Sequence, residues 1–363
     1  MAAFDTLLIG YYGMQNTGDD MLMAAAAEGA RRRYHSRHIA ATGASGSEAL
    51  QQLQLSAVQA KKQRFKGQDR LLKYWAAARS EHIIIGGGSV FHTAKDIAQK
   101  THYLKLATSN QHCAAGVGLG PFNDVAAEKA CATFLNACTF TGLRDKTSLD
   151  IARSIAPNAN TALTFDLAPS MISQPAFQQA LMPERDNAIG VALCPVERLT
   201  GDENAEHVRN QILADALIQH HRETGAEIRL IDFNGHPTLG DQQVHRDLCA
   251  RLGETPCKII PYNPTPYEAV REISKLSMIV AMRLHAAVFA YLSNTPCISL
   301  NYHRKCENWC RDIQQSTDFA IDSRHVDKDS LSTAIATIHR GDYVPPRLPL
   351  ADAEKMALSN WTH

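Results

Sequence analysis

The chain has 363 residues, and 45% of them are hydrophobic, which is enough to fill two compact cores. Lysine plus arginine and aspartate plus glutamate both total 37, so there is no net charge to attract nucleic acid or an anionic membrane. Because the start, MAAFDTLLIG, lacks the features of a secretory signal and no apolar run approaches the roughly 20 residues that span a bilayer, we expect a cytoplasmic protein.

Short apolar runs alternate with longer helical patterns along the whole chain, as is typical of βαβ units and parallel sheets. The sequence therefore predicts an α/β fold with two doubly wound, Rossmann-like domains. Domains of this kind that face a cleft resemble the glycosyltransferase-B architecture, whose ligands bind at the carboxyl ends of the strands. The strands predicted for the first half are Thr6–Tyr11, His38–Ala41, His82–Ile85, His112–Gly116, Cys138–Gly142 and Thr161–Thr164.

The stretch from Ala168 to Asp186 contains three prolines and no strand pattern, so we place the domain linker there. The predicted domains are residues 1–175 and 186–340, and a C-terminal tail, 341–363, packs back on the first domain. The elements predicted for the second domain are strands at Ala188–Leu193, Glu227–Asp232, Lys258–Ile260, Met278–Ala281 and Cys297–Leu300, and a helix at Lys328–Arg340.

The first predicted strand runs into a glycine-rich turn, GYYGMQNTGDD (residues 10–20), ahead of a helical pattern. Such a turn frees backbone N–H groups at a helix N-terminus, where anions bind. The turn lacks both the GxGxxG spacing of dinucleotide binders and the lysine of a Walker loop, and its two acids disfavour phosphate. Asp19 or Asp20 either caps the helix or contacts a sugar hydroxyl.

A basic segment, residues 61–75 (KKQRFKGQDRLLKYW), contains six bases and one acid with interleaved aromatic residues. This composition fits either a solvated helix or a contact with an anionic membrane face. The next strand carries HIIIGGGS, in which Gly87 and Gly88 reach the strand end. So dense a glycine cluster indicates close approach of the backbone, either to a ligand or to a packed helix.

Two charged residues follow later strands of the first half. Arg144 lies at a strand end, where it either faces the cleft or forms a salt bridge with Asp145, a candidate helix cap. Asp166 ends the last strand of the first domain and is either a base or a turn-forming residue. Both positions place a charge at the predicted mouth of the cleft.

The strongest local signal is AMRLHAAVFA (residues 281–290), an apolar strand that breaks into a helix at Arg283 and His285. Cations at a helix N-terminus are disfavoured by the helix dipole unless an anion is present, so this conflict indicates a ligand. One βα unit later comes Lys305, again just past a strand end. Since neighbouring strands lie about 5 Å apart, Arg283, His285 and Lys305 are predicted to converge on one small anion.

Nine cysteines are scattered along the chain, which favours reduced, mostly buried thiols over disulfides. Cys306 and Cys310 are the only close pair in the sequence, and no neighbouring CxxC or histidine pair completes a tetrahedral zinc set. We therefore predict no metal site.

Five segments, taken in order, are similar to the signatures of the polysaccharide pyruvyl transferase family: GYYGMQNTGDD, GGGSVFHT, LRDKTS, FDLAPS and MRLHAAVFAYLSNTPCISLNYHRK. The resemblance implies transfer of an enolpyruvyl-derived group from phosphoenolpyruvate to two hydroxyls of one sugar, which gives a cyclic pyruvate ketal without a further cofactor. The acceptor it implies is a lipid-linked or nucleotide-linked saccharide on the way to a surface polysaccharide. Peripheral contact with the inner face of the membrane and an oligomeric state are compatible with it.

The resemblance also assigns residues. On the phosphoenolpyruvate side it matches Arg144 in the first domain and Arg283, His285 and Lys305 in the second, and we add Gly87 and Gly88 at their strand end in the first domain. On the acceptor side, in the first domain, it matches Asn16 and Asp19, and we add their loop neighbours Tyr12 and Asp20. In the mechanism that this implies, His285 is the general acid, Arg283 stabilises the departing phosphate, and Asp19 or Asp166 accepts the hydroxyl proton.

Two other functions stay open from the residues alone. A nucleotide-sugar-dependent glycosyltransferase of the same architecture would need a ribose-binding glutamate late in the second domain, for which Glu307 is the nearby candidate. A non-catalytic saccharide-binding protein would use the same pockets without turnover. For the pyruvyl transferase we expect Arg283→Ala and His285→Ala to fold normally and to lose activity.

Overall fold

Two parallel β-sheets with helices packed against them make up the computed structural model, which describes residues 3–43, 47–60, 62 and 64–362. The chain divides into two units with one sheet each. The first unit comprises Met1–Met14, Asp19–Met171 and Ala351–His363, and the second comprises Gln15–Gly18 and Ile172–Leu350. The predicted α/β fold class with two doubly wound sheets is confirmed.

The first unit's sheet has seven parallel strands among the residues described: β1 (Phe4–Ile9), β2 (Ile39–Ala41), β3 (Ser56–Ala57), β4 (Ser80–Ser89), β5 (Cys113–Gly118), β6 (Phe140–Leu143) and β7 (Thr161–Leu163). Their spatial order is β3-β2-β1-β4-β5-β6-β7. The sequence order therefore reverses between β1 and β4, which makes the ends of these two strands the topological switch point of the sheet. The edge strand β3 was not predicted, because two residues are too short to show an alternating pattern.

The second unit's sheet has six parallel strands in the described part of the chain: β8 (Ala188–Ala192), β9 (Glu227–Ile231), β10 (Cys257–Ile260), β11 (Met278–Ala281), β12 (Cys297–Asn301) and β13 (Ala320–Asp322). Their order is β10-β9-β8-β11-β12-β13. Residues of β8 and β11 are all buried, as expected for central strands covered on both faces. The sequence did not predict the edge strand β13.

Helices connect the strands in both units. In chain order they are α1 (Thr17–Tyr34), α2 (Glu48–Gln52), α3 (Gln68–Ala78), α4 (Ala94–Leu106), α5 (Val125–Ala137), α6 (Lys146–Ile155), α7 (Pro175–Ala180), α8 (Val196–Leu199), α9 (Glu203–Thr224), α10 (Gln242–Leu252), α11 (Pro266–Ser274), α12 (Leu284–Leu292), α13 (Arg304–Asp312), α14 (Lys328–His339) and α15 (Leu350–Leu358). Short 3₁₀ helices lie at Ala168–Met171, Thr317–Phe319, Ser323–His325 and Ser359–Trp361.

Side-chain caps fix where several of these helices begin. The predicted cap Asp145 accepts a hydrogen bond from Ser148 N at 2.8 Å at the start of α6, and Asp124 caps α5 in the same way. Helix α9 ends at Gly225, whose φ of 71° lies in the left-handed region that favours glycine. The caps place the residues just before each helix at the carboxyl ends of the strands.

The boundary between the units lies inside the stretch from Ala168 to Asp186 that was predicted as the linker. It lies between Met171 and Ile172, because the segment after it forms α7 and joins the second unit, where Ser274 of α11 hydrogen-bonds Ala180 O and Met182 N. Residues 15–18 also belong to the second unit. Their backbone is tied to the segment after β9, with Thr17 N donating to Phe233 O at 2.9 Å.

The C-terminal tail is shared between the units. Residues 341–350 lie in the second unit and residues 351–363 in the first. In the first unit the Asn360 side chain is fully buried and accepts hydrogen bonds from Gly116 N at 2.8 Å and the Thr164 hydroxyl at 2.9 Å. The tail is therefore an integral part of the first core.

Within the described ranges, no helix is both long enough and apolar enough to cross a membrane.

Candidate functional site

In the second unit, an arginine at the end of β11 is held by a carboxylate from another helix. Nε of Arg283 donates to both oxygens of Asp241 at 3.0 and 3.1 Å, and Nη2 also bonds Asp241 Oδ1. Asp241 is fully buried at the start of α10, and its Oδ2 accepts from the N–H groups of Phe233 and Asn234, both at 2.9 Å. The guanidinium is therefore fixed in one orientation at the carboxyl edge of the sheet.

This pair has consequences for charge and for stability. Burial alone would lower the pKa of the Arg283 guanidinium, but the Asp241 carboxylate raises it above its ordinary value, so the side chain stays charged. Removing the guanidinium would leave a buried carboxylate without its cation, which costs about 3–5 kcal/mol. The sequence analysis expected Arg283→Ala to fold normally. With this ion pair present, we expect the variant to be destabilised instead.

Tyr302 and Cys194 extend this cluster across the neighbouring strand ends. The Tyr302 hydroxyl lies near the Cys194 thiol, and the Lys305 ammonium lies 5.5 Å from the centroid of the Tyr302 ring. Burial raises the pKa of both Tyr302 and Cys194, so both are protonated at neutral pH. Lys305 and Arg283 therefore both lie near Tyr302 and Cys194, and their convergence on one anion stays a prediction.

His285 lies in the first turn of α12, next to Arg283, and packs against the segment from the chain's first loop. A Cβ built on Gly18 would overlap Nδ1 of the His285 ring, so only glycine fits there. Asn16 Oδ1 accepts a hydrogen bond from Gly18 N at 3.0 Å. The structure therefore brings Asn16 and His285, predicted for the two different substrates, into one part of the second unit.

A buried histidine and aspartate, which the sequence analysis did not single out, brace the same sheet edge. Nδ1 of His245 lies 2.5 Å from Oδ1 of Asp232, and Nε2 accepts from Leu193 N at 2.9 Å. Because Nε2 is an acceptor, the ring proton lies on Nδ1. The pair ties α10 to the ends of β8 and β9, and α10 also carries Asp241.

In the first unit, Arg144 lies across the ends of three strands. Its Nη2 donates to the Ser89 hydroxyl at 2.9 Å, and Nε lies 3.5 Å from Asp145 Oδ2. A Cβ on Gly118 would lie 2.7 Å from Nη2, so the guanidinium packs on bare backbone. The salt bridge to Asp145 that the sequence left open is present, and the Arg144 side chain is nearly buried.

The two glycines predicted at the end of β4 have different surroundings. Gly87 has φ of 69°, and a Cβ there would lie 2.9 Å from Leu22 of α1, so close helix packing explains it. Gly88 has φ of 79° and more room, with Asp19 Oδ1 3.9 Å from the position of a Cβ. Gly88 and Asp19 are therefore neighbours at this strand end.

Two residues of the predicted acceptor loop are buried and differ from that prediction. Tyr12 and Asp20 are each 1% exposed. The Tyr12 hydroxyl donates to Gly86 O at 2.6 Å, and its ring lies against Gly10 and Gly86, where any Cβ would overlap it. Tyr12 therefore supports the glycine strand from within the core, which leaves no surface for an acceptor.

Asp166 has a local role in the first unit. It is buried, and its Oδ1 accepts a hydrogen bond from Ala168 N at 3.0 Å at the start of a 3₁₀ helix. This is the turn-forming alternative that the sequence left open.

As for metals, no group of three histidine, cysteine, aspartate or glutamate side chains gathers within the residues that the structure describes.

Besides His245 and Asp232, the sequence analysis also missed Asp241 at the site. An aspartate before a helical pattern has the appearance of an ordinary cap, and its ion pair with Arg283 joins positions 42 residues apart. The one sequence signal is an unexplained cation at the start of α12, which requires a partner of opposite charge.

Comparisons with known proteins agree with this fold. The chain matches the family described as polysaccharide pyruvyl transferase over residues 16–304. A search of curated proteins found no match.

Solved structures of low sequence identity share the fold. The UDP-GlcNAc 2-epimerase from Methanocaldococcus jannaschii is 10% identical with a TM-score of 0.60, covering 97% of each chain. The UDP-GlcNAc 2-epimerase from Neisseria meningitidis is 9% identical with a TM-score of 0.59, covering 98% of each chain. Anabaena Alr3699/HepE is 13% identical with a TM-score of 0.57, covering 99% of this chain and 95% of that one. These likenesses confirm a glycosyltransferase-B-like fold and carry no further argument.

Proposed function

Because this chain belongs to the polysaccharide pyruvyl transferase family, we propose that it transfers a pyruvyl group from phosphoenolpyruvate to two hydroxyls of one sugar, forming a cyclic ketal. Family membership makes it a transferase that acts in polysaccharide modification. The finer proposal is carried by one observation: Asp241 fixes the Arg283 guanidinium at a strand end, with His285 beside it in the chain. A small dianion needs such a preorganised cation.

The proposed donor carries a carboxylate and a phosphate, and the second unit supplies cations for both. Arg283 would bind one of these groups through the guanidinium edge that Asp241 does not occupy, and Lys305 would bind the other. Arg283 and Lys305 together outweigh the single negative charge of Asp241, so the cluster keeps a net positive charge that favours an anion. The proposed contact between Arg144 and phosphoenolpyruvate rests on the family resemblance alone.

The proposed reaction has three steps that balance in atoms and charge. His285 donates a proton to the methylene carbon, which becomes a methyl group and leaves a cationic centre at C2. A sugar hydroxyl adds to C2 and gives its proton to a base, for which Asp19 remains the candidate. The bond between C2 and the phosphate oxygen breaks, the base passes its proton to the departing phosphate, and the second hydroxyl closes the ring as it returns a proton to His285.

The experiment that tests this function measures phosphate release from phosphoenolpyruvate with a panel of saccharide acceptors. We expect His285→Gln to lower kcat by about 10²–10⁴-fold and Arg283→Lys, which keeps the charge but loses the fork, by about 10²–10³-fold. The matched controls, His325→Gln and Arg324→Lys, change exposed residues of the second unit and leave kcat unchanged. No phosphate release with any acceptor, or variants within roughly threefold of the native chain, would overturn the proposal.

A nucleotide-linked saccharide is one acceptor class that we propose for the panel. The Neisseria epimerase was solved bound to UDP-GlcNAc and the Anabaena protein in complex with UDP-glucose. Release of UDP without release of phosphate would favour the glycosyltransferase alternative.

We also propose that α3 contacts an anionic membrane surface, where a lipid-linked acceptor would reside. Phe65, Leu71 and Trp75 are each more than half exposed. The exposed bases around them are Lys62, Arg64, Lys66, Arg70 and Arg79. Exposed apolar residues flanked by bases are typical of interfacial helices. Two members of the predicted basic segment, Lys61 and Gln63, lie outside the described residues.

Sedimentation with vesicles tests the membrane proposal. We expect binding to vesicles rich in phosphatidylglycerol, loss of that binding in the double variant Leu71→Ser with Trp75→Ser, and little binding to pure phosphatidylcholine. Val125→Ser removes an apolar residue of α5 that is even more exposed than Leu71 and Trp75, and serves as the control. Equal binding by the double variant and the control would overturn the proposal.

A further inference from the structure

A cavity of about 270 Å³ opens at the topological switch point of the first unit's sheet. Ile9 and Gly10 at the end of β1 and Val90 just past β4 form its floor, and α4 forms one wall. Open α/β sheets bind ligands at this place, outside the carboxyl ends of the strands where their order reverses. Gly10, Tyr11 and Met14 belong to the predicted glycine-rich turn, but none of the site residues assigned in the sequence analysis lines this cavity.

One face of α4 turns its polar side chains toward the cavity. Asp96, Gln99, Lys100 and Tyr103 all line it, and their spacing of three, four and seven residues places them on one side of a helix. A carboxylate, an amide, an ammonium and a phenol thus converge on one space. Together they offer hydrogen-bond donors and acceptors side by side.

The Lys100 side chain has an unusual environment for a lysine. It is only 7% exposed, it pairs with the Asp96 carboxylate, and its ammonium lies 6.0 Å from the centroid of the Phe91 ring. Burial lowers the pKa of Lys100, Lys73 at the cavity acts in the same direction, and Asp96 opposes both. A buried ion pair contributes little to stability, so a perturbed pair that lines a cavity is a candidate for ligand contact.

Large apolar side chains stand exposed at the rim of the same cavity. Tyr11 is 49% exposed and Met14 is 55% exposed, although both are residues that water normally disfavours. Burial of part of the ring, together with Asp96 and Asp19, raises the pKa of Tyr11, so its hydroxyl stays a hydrogen-bond donor. A flat aromatic face beside convergent polar groups matches a ligand that has both an apolar face and many hydroxyls.

We propose that this cavity binds one neutral sugar ring of the acceptor saccharide, an inference that rests on the proposed function. The C–H face of the ring lies on Tyr11, and adjacent hydroxyls bond Asp96, Gln99 and Lys100. The carboxylate disfavours a phosphate here, whereas a hydroxyl can donate to Asp96 and accept from Lys100 at once. The volume lies just below the roughly 300–1,000 Å³ of most small-molecule pockets, which suits a single ring.

Ligand-observed NMR with the full chain tests the site. The probes are the methyl glycosides of glucose, galactose, mannose and N-acetylglucosamine, with inorganic phosphate as a competitor. We expect at least one glycoside to bind, phosphate not to displace it, and Tyr11→Ala and Lys100→Met each to weaken it about tenfold. Phe65→Ala removes an aromatic residue of similar exposure, 54%, that does not line the cavity, and binds as the native chain does.

The outcomes separate this inference from the proposed function. Binding of no glycoside, displacement by phosphate, or equal binding by the folded Tyr11→Ala and Lys100→Met variants would overturn the cavity as a sugar site. In turnover, both variants should raise the KM for the acceptor about tenfold and leave the KM for phosphoenolpyruvate unchanged. Sugar binding without any phosphate release would overturn the proposed function but not the cavity as a sugar site. Turnover in which both variants keep the native KM for the acceptor would overturn the sugar site but not the proposed function.

Discussion

Arg283 and Arg144 each follow a strand of a parallel sheet, one in either unit, yet their surroundings differ. Arg283 is held through two nitrogens by Asp241, a fully buried carboxylate from α10. Arg144 donates to the neutral hydroxyl of Ser89 and packs on the backbone of Gly118, with the Asp145 carboxylate at 3.5 Å. The sequence pattern at the two junctions is similar, but the electrostatic partners are not.

The difference bears on how function and stability are coupled in each unit. A cation fixed by a buried acid is preorganised for an anion, but neither member of the pair can be removed without leaving the other unpaired. The first unit instead holds its strands together with neutral hydrogen bonds, those of Asn360 and Tyr12. Changes to the charged partners in the second unit should therefore cost more than changes to the neutral partners in the first.

The largest effect is expected for Asp241→Asn. The variant keeps the shape of the side chain but removes the charge that Arg283 and two backbone N–H groups share, so the free energy of unfolding should fall by about 3–5 kcal/mol. Denaturation with urea measures it. Asp247→Asn, on the same helix α10, breaks a partly exposed pair with Arg198 and should cost less than about 1 kcal/mol. Equal losses in the two variants would show that the buried ion pair contributes no more to stability than the partly exposed one. The contrast drawn with the first unit would then have no basis.

An intermediate effect is expected for Asn360→Ala in the first unit. The change leaves the N–H of Gly116 and the carbonyl of Phe165 without their partner in a fully buried place, which costs about 1–3 kcal/mol. Asn136→Ala removes an exposed amide that bonds Ala132 O, and should stay within about 0.5 kcal/mol of the native chain. A loss as large as that of Asp241→Asn would show that neutral and charged networks are equivalent here.

The strands were largely predictable because buried parallel strands are continuous apolar runs. The prediction at Met278–Ala281 coincides with β11, and most others differ from the observed bounds by one or two residues. The exceptions are the edge strands β3 and β13, of two and three residues, although β7, an edge strand as short as β13, was predicted. The boundary between the units falls inside the predicted linker stretch, but the membership of α7 in the second unit depends on contacts that only the folded chain reveals.

The site was predictable where local rules conflict and unpredictable where distant residues meet. Arg283 and His285 stood out because cations oppose the dipole at the start of α12. Asp241 could not be found in this way, since its pairing joins two different βα units. The burial of Tyr12 depends on the absence of side chains at Gly10 and Gly86, which the sequence alone does not connect.

A smaller effect is expected for Tyr12→Phe, which removes one buried hydrogen bond to Gly86 O. The free energy of unfolding should fall by about 1 kcal/mol, and the KM for the acceptor should not change. Tyr11→Phe, at the exposed neighbouring position, should leave stability unaltered. A raised acceptor KM in Tyr12→Phe with unchanged stability would restore the acceptor-binding role that the sequence suggested for this residue.

The smallest effect is expected for Asp322 at the end of β13. Like Asp241, it pairs with an arginine of the second unit, but this pair is exposed to solvent. Hydrogen bonds from Arg324 lower the pKa of Asp322 to about 2 from the ordinary 3.8. Since the folded-state pKa is the lower one, the stabilisation is fully present above pH 3.8 and is lost as the pH falls through about 2. Both side chains are at least one third exposed, so salt screens the pair. The Asp322 carboxyl, followed by NMR at low salt, should titrate near pH 2, and Arg324→Gln should move the midpoint toward 3.8. A midpoint that ignores both the substitution and added salt would mean that this pair resembles the buried one after all.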